Sequence, residues 1–236
     1  QAHRVLKARP DMTLVLQLAL DGAKWWNKAN PEAANLEVDA IYAKSRKPGP
    51  KGVPDYLSPL WRSQMRELLR QLVAHVQSSD WGAAVIGYEL FNGSSMDCNF
   101  LVPHSNPRVI RDFRRVLKEK YRNDAALQHA WDDPKVTLDS ALTWTERFPA
   151  GLILEPAKHQ RFIDTKELIG NQFRSVFSDV AATIKEATHR RALVGARTGD
   201  FFGNYAWNSG WYKMEDSGWL PPLLSDPNID FLDVQE

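Results

Sequence analysis

The 236-residue chain has one cysteine, Cys98. That excludes an internal disulfide and any cysteine-rich zinc site, and leaves Cys98 as a small, partly buried filler; it does not fix the compartment, because many exported proteins carry no disulfide. No apolar run reaches the roughly 18 residues that a membrane-spanning helix needs. Neither sign of charge is in excess, with 30 Lys and Arg against 29 Asp and Glu. Without a strong field to hold a polyanion or an acidic bilayer, nucleic acid and membrane are excluded as expected partners. No GxGxxG or GxxxxGK[ST] follows an apolar run, which removes the simplest nucleotide-binding readings. No HxH, HExxH or EF-hand spacing offers a metal site, and His104, His129, His159 and His189 lie far apart as surface or capping residues. No signal peptide or leader is read at the start: "QAHRVLKARPDM" reads as the last turns of a helix stopped at Pro10, and "NIDFLDVQE" stops in or just after a strand. The expectation is a piece of a longer polypeptide.

Aromatic residues are abundant, with nine Trp, ten Phe and six Tyr. Most are expected in the core, but some stand elsewhere. Trp25 and Trp26 follow an apolar run directly, and "DFFGNYAWNSGWYKMEDSGW", Asp200 to Trp219, mixes rings with glycine, asparagine and serine. Such a loop offers flat apolar faces beside hydrogen-bonding groups, which is what a pyranose ring requires.

The length suits one large α/β domain, expected over 1–236. "TLVLQLAL", Thr13 to Leu20, reads as a buried strand bounded by Pro10 and by Asp21-Gly22. Lys44 to Pro59, rich in Pro and Gly, reads as a solvated loop, with a basic partner site as the alternative. From Ser58-Pro59 a helix follows, with Met65, Leu68, Leu69, Leu72, Val73 and Val76 on one face and His75 off it. "AAVIGYELF" is the second strand, and that helix supplies the crossover a parallel pair needs. Asn106-Pro107 opens a basic amphipathic helix with Val109, Ile110, Phe113, Val116 and Leu117 inward. "DAALQHAW" is a short helix and "VTLDSA" is ambiguous. A long helix follows, with Phe162, Leu168, Ile169, Phe173, Val176, Phe177 and Val180 inside; "RALVGART" and "NIDFLDV" are the third and fourth strands.

Strands alternating with helices indicate a parallel α/β sheet, either doubly wound or a (β/α)8 TIM-type barrel. Polar residues and rings follow the C-terminal end of each strand, where barrel enzymes place their sites, which favours the barrel. Four strands cannot close it, so the barrel is incomplete in this chain.

Four stretches, "RPDMTLVLQLALDGAKWWNKANPE", "VIGYELFNGSSMD", "VIRDFRRVLKEKYRNDAALQHAWDDPKVTL" and "LVGARTGDFF" with "SGWLPPLLSDPNIDFL", together resemble the catalytic barrel of β-galactosidase-like enzymes related to glycoside hydrolase family 42. The most specific part runs from Phe113 to Trp131. The resemblance implies that the strands at Thr13–Leu20, Ala83–Phe91, Ala192–Thr198 and Ile229–Val234 are the third to sixth of the barrel. It also implies a retaining glycoside hydrolase acting on a β-galactoside or a galactan-type polysaccharide, with its acid/base after the fourth strand and its nucleophile after the seventh, outside this chain. Where one pattern of that clan has Asn-Glu, this chain has Asn92 and Gly93; a second pattern places the acid a few residues later, at Asp97.

Retaining hydrolysis needs two carboxyl groups about 5–5.5 Å apart, one of them still protonated at working pH. Asp97 reads as a shortened general acid, as a ligand for sugar hydroxyls, or as a turn cap. Glu89 is the second catalytic candidate; an acid inside an apolar strand must be paired or neutral, and it more often orients a site than reacts. Asn92 suits a hydrogen bond to the sugar 2-OH, or a turn. Trp25, Trp26, Arg197, Asp200, Trp207 and Trp211, with Asp233 to Glu236, would line the mouth. No cofactor or metal is expected, the partner is an oligo- or polysaccharide, and a homo-oligomer is compatible with the sequence. A periplasmic or secreted location is preferred to a cytoplasmic one. The rival to an active hydrolase is a carbohydrate-binding pseudoenzyme on the same barrel; a non-carbohydrate barrel with packing aromatics is the third reading.

Overall fold

The computed structural model describes residues 2–20, 24–33, 54–91, 106–144, 155–198 and 223–234. A first helix, α1 (Ala2–Ala8), precedes strand β1 (Leu14–Ala19). A short helix α2 (Lys24–Ala29) and a 3-10 turn (Pro31–Ala33) follow. Helix α3 (Pro59–Ser78) and a 3-10 turn (Gly82–Ala84) lead into β2 (Val85–Phe91). Then come α4 (Pro107–Tyr121), α5 (Asp124–Trp131), the long α6 (Pro156–Ala187), β3 (Leu193–Thr198) and β4 (Phe231–Val234). The four strands form one parallel sheet in sequence order.

Local chemistry sets the helix limits. Proline stands in the first turn of α3, α4 and α6, where its missing N–H costs nothing. Asn106 caps α4 by accepting from Arg108 N at 2.8 Å, and Asn123 caps α5 by accepting from Ala126 N at 2.9 Å. The "VTLDSA" stretch forms turns, held by hydrogen bonds between Thr137 and Ser140.

One face of the sheet is covered. Leu16 and Leu18 of β1, Tyr88 and Leu90 of β2, and Val194 and Ala196 of β3 pack with Leu69 and Val73 of α3 and with Val176, Phe177, Val180 and Ile184 of α6. Each fully buried side chain of this size contributes about 1.5–3 kcal/mol. A second core joins Val109, Phe113 and Leu117 of α4, Leu127 of α5 and Leu168 of α6. α6 is long enough to serve both cores.

The other face is exposed toward its N-terminal end, while Glu89 and Gly195 further along it are buried. Val15, Ile86 and Leu193 are 41%, 40% and 44% exposed, although parallel sheets are ordinarily covered on both faces. The expectation that Thr13 to Leu20 is buried throughout is therefore corrected: the strand alternates, with Leu14, Leu16 and Leu18 turned to the helices and Val15, Gln17 and Ala19 to the open face. The second strand starts at Val85, not Ala83, because Gly82–Ala84 forms a 3-10 turn. The register slips between Leu14↔Val85 and Val15↔Gly87, leaving Ile86 as an extra residue. That bulge reverses the facing of the strand, so Val85 packs on the same core as Tyr88 and Leu90. On α3, Leu68 lies outside the apolar face assigned to it, 58% exposed.

The basic face of α4 is a solvated one. Arg115 pairs with Asp112 and Glu119, Lys118 pairs with Asp139, and Arg114 Nε donates to Ala141 O. Ion pairs tie the connections together. Asp55, buried just before α3, accepts from Arg108 at 2.5 Å, Asn106 at 3.1 Å and its neighbour Leu57 N at 3.0 Å. It thereby joins the approach to α3 to the start of α4.

Candidate active site on the open face of the sheet

The open face is built in lateral rows, because parallel register sets partnered residues side by side on the same face. Gln17, Glu89, Gly195 and Phe231 form one row across all four strands. The next row toward the C-terminal ends holds Ala19, Phe91, Arg197 and Asp233. Gly195 is required by its neighbour: a Cβ there would stand 2.2–2.5 Å from atoms of the Phe231 ring.

Glu89 is 6% exposed. Its Oε2 accepts from Gln17 Nε2 at 2.9 Å. Its Oε1 stands 3.0 Å from Arg197 Nε, within ion-pair distance. That nitrogen carries one hydrogen, however, and donates it to Asp233 Oδ2 at 2.8 Å; a second Arg197 nitrogen lies 2.6 Å from the same oxygen. Glu89 Oε1 consequently feels the guanidinium charge but receives no hydrogen bond among the described residues.

Burial, the largest cause, and the adjoining Asp233 push the Glu89 carboxyl above the usual carboxylate range, against the opposing pull of Gln17 and Arg197. Asp233 is held below its ordinary value, first by its hydrogen bond with Glu89 and then by Arg197. Two carboxyl groups against one guanidinium therefore have proton affinities moved apart, Glu89 upward and Asp233 downward.

Of the residues singled out in the sequence, Glu89, Arg197 and Asp233 are brought into direct contact. Trp25 is 73% exposed on α2, just past the C-terminal end of β1. Its neighbour Trp26 is instead part of the core, with its indole N–H donated to Gln64 Oε1 at 2.5 Å. Asn92, Gly93, Asp97, Cys98, His104, Asp200, Trp207, Trp211 and Glu236 lie outside the described residues. Sequence reasoning missed Gln17 as a partner of Glu89; the signal was its position as the one polar side chain inside "LVLQLA". Among the described residues no cluster of His, Cys, Asp or Glu has the form of a metal site, and no helix is long and apolar enough to cross a membrane.

A parallel α/β sheet with helices on one face and polar side chains gathered toward the strand C-termini on the other defines the class of fold. Solved structures share it. The β-galactosidase from Rahnella sp. R3 superposes with a TM-score of 0.68 at 15% identity, covering 100% of this chain and 30% of its own. The β-galactosidase from Marinomonas ef1 gives 0.62 at 15% identity, over 95% of this chain and 30% of its own. An agarase, AgWH50C, gives 0.57 at 14% identity, over 98% and 29%. At such identities the likeness is one of fold, and the chain spans less than a third of the length of these proteins. No family model matches the chain, and no curated protein matches it.

Proposed function

We propose that residues 1–236 are the central part of a (β/α)8 glycoside hydrolase domain related to glycoside hydrolase family 42, with β1 to β4 as its third to sixth strands. It acts on a β-linked sugar, a β-galactoside or a galactan-type fragment, with retention of configuration. The observation that carries this reading is the sheet face turned away from the helices, on which the buried Glu89 carboxyl and Asp233 meet one guanidinium, Arg197. A parallel sheet left open on one side suits a barrel interior closed by further strands, and barrel enzymes work at the C-terminal mouth. The solved structures of similar fold include proteins named as β-galactosidases and agarases.

The residues take distinct roles. Glu89 and Asp233 stand against one guanidinium, Arg197 Nε lying 3.0 Å from Glu89 Oε1 and 2.8 Å from Asp233 Oδ2. Both are accordingly read as groups that hold Arg197, not as the acid and nucleophile, which stand about 5–5.5 Å apart with the sugar between them. Asp97, after β2, is the proposed acid/base, protonating the leaving oxygen and then activating water; the nucleophilic glutamate belongs to the seventh strand, outside this chain. Glu89 orients. Trp25 supplies a stacking face, which Trp26, buried and bound to Gln64, does not. Asn92, Arg197, Asp200, Trp207 and Trp211 complete the proposed sugar contacts. No metal or cofactor takes part in this chemistry.

The Asp97→Asn variant of the polypeptide containing these residues is expected to lose turnover by about 10²-fold or more, the scale of acid/base assistance. Unchanged turnover removes Asp97 from the mechanism. Gly93, standing where a related pattern has glutamate, favours one second reading, a pseudoenzyme that binds oligosaccharide without cleaving it.

A further inference from the structure

We propose that Glu89 and Asp233 hold a single proton between them, carried on Glu89, and that this pair together with Gln17 fixes the position of Arg197 on the open face. Glu89 is thereby a positioning residue rather than a reacting one.

The geometry supplies three reasons. First, Arg197 gives Asp233 both its Nε–H and a terminal nitrogen, at 2.8 and 2.6 Å, so Asp233 is the carboxylate that the guanidinium neutralises. Second, Glu89 Oε1 stands beside that same Nε with no donor of its own, while Oε2 has only the Gln17 amide. An ionised carboxylate with one oxygen left in that state is costly, whereas a protonated Oε1 becomes a donor and finds its acceptor in Asp233. Third, the Glu89 side chain is 8% exposed against 38% for Asp233, so removing charge from Glu89 relieves the greater desolvation.

The surroundings agree with this assignment. From β1 the neutral Gln17 faces Glu89, from β3 Arg197, and from β4 Asp233. On β2 itself Gly87 and Phe91 flank Glu89 on the same face and bring no charge. One cation and two carboxyl groups balance among these described residues only if one carboxyl is neutral. Burial and the Asp233 contact act in the same direction on the Glu89 carboxyl. When Glu89 ionises, two carboxylates compete for the Arg197 Nε–H.

The test is a carboxyl-carbon NMR titration of protein labelled at glutamate, with Glu89 assigned by the resonance missing in Glu89→Gln. The expected result is a midpoint above the ordinary glutamate value of about 4.3 that moves downward in Asp233→Asn, where the negative neighbour is gone. A midpoint at or below the ordinary value overturns the proposal, as does one that Asp233→Asn leaves unmoved. Should Glu89→Gln not fold, the assignment rests on Asp233→Asn, in which one glutamate resonance must move; none moving overturns it equally.

Stability gives a second readout. A carboxyl whose folded pKa is raised contributes stability that is complete below its unfolded pKa and is lost as pH rises through the folded one. Urea midpoints of the native chain should therefore fall across that window relative to Glu89→Gln, and identical pH profiles contradict the proposal. The positioning role rests on the hydrolase reading, but the shared proton does not. Titration as expected without any sugar cleavage sinks the hydrolase alone, while cleavage with an ordinary Glu89 titration sinks the proton pair alone.

Discussion

Asp164 accepts four hydrogen bonds with its side chain 1% exposed: Lys120 Nζ at 2.9 Å, the Tyr121 hydroxyl at 2.8 Å, Trp131 Nε1 at 2.7 Å and Gln160 Nε2 at 2.8 Å. These donors come from α4, α5 and α6, so one carboxylate joins the three helices of the second core. Burial and the same carboxylate push the Tyr121 phenol well above its usual range, keeping it a donor. Asp164→Ala leaves several donors facing an apolar gap, and a loss of about 3 kcal/mol is expected from urea unfolding. A change within about 0.5 kcal/mol, the size of an ordinary surface substitution, contradicts that role. None of this was legible in the sequence, where Asp164 sits in "FIDTKEL" with nothing to separate it from a solvated helical acid. Glu89 was legible as an anomaly, because an acid amid "VIGYELF" demands a partner or a proton. Its partners were not, since Gln17, Arg197 and Asp233 meet it only through cross-strand register, which the sequence does not state.

At the scale of elements the periodic signals were sufficient. The spacing of apolar residues identified α3, α4 and α6, with Leu68 the exception among the described side chains of their inward faces, and the apolar runs identified all four strands to within two residues. Leu68 was misassigned because a wide apolar stripe does not say which margin a neighbouring element covers; here the covered side of α3 centres on Trp61, Leu69, Val73 and Val76. The burial of β1 was misjudged for a related reason: a run such as "LVLQLA" is read as covered on both faces, while the structure covers one. The connection from α3 to β2 was also hidden. Gly82 sits there so tightly that an added Cβ would come within 2.1 Å of Val76 O, a backbone atom that cannot swing away. Gly82→Ala should cost about 1–3 kcal/mol by overpacking, seen as a lower thermal midpoint with secondary structure retained at low temperature. An unchanged midpoint shows that the turn can shift freely.

Across the whole molecule, the sheet is the organising fact. Helices α3 and α6 cover one side, and the other bears apolar side chains at its N-terminal end, with Glu89, Arg197 and Asp233 further along. Parallel sheets are ordinarily covered on both faces, which is the support for the proposed further barrel strands. The parallel α/β class was legible from the alternation of elements; the openness of one face was not, because burial depends on what lies opposite a strand. The most direct measurement is hydrolysis of a panel of nitrophenyl β-glycosides and galactan oligosaccharides by the polypeptide that contains these residues within its uninterrupted chain, with the product anomer followed by NMR. Release of sugar with the β-anomer appearing first is the expected result; binding without release, or release with inversion, contradicts a retaining hydrolase.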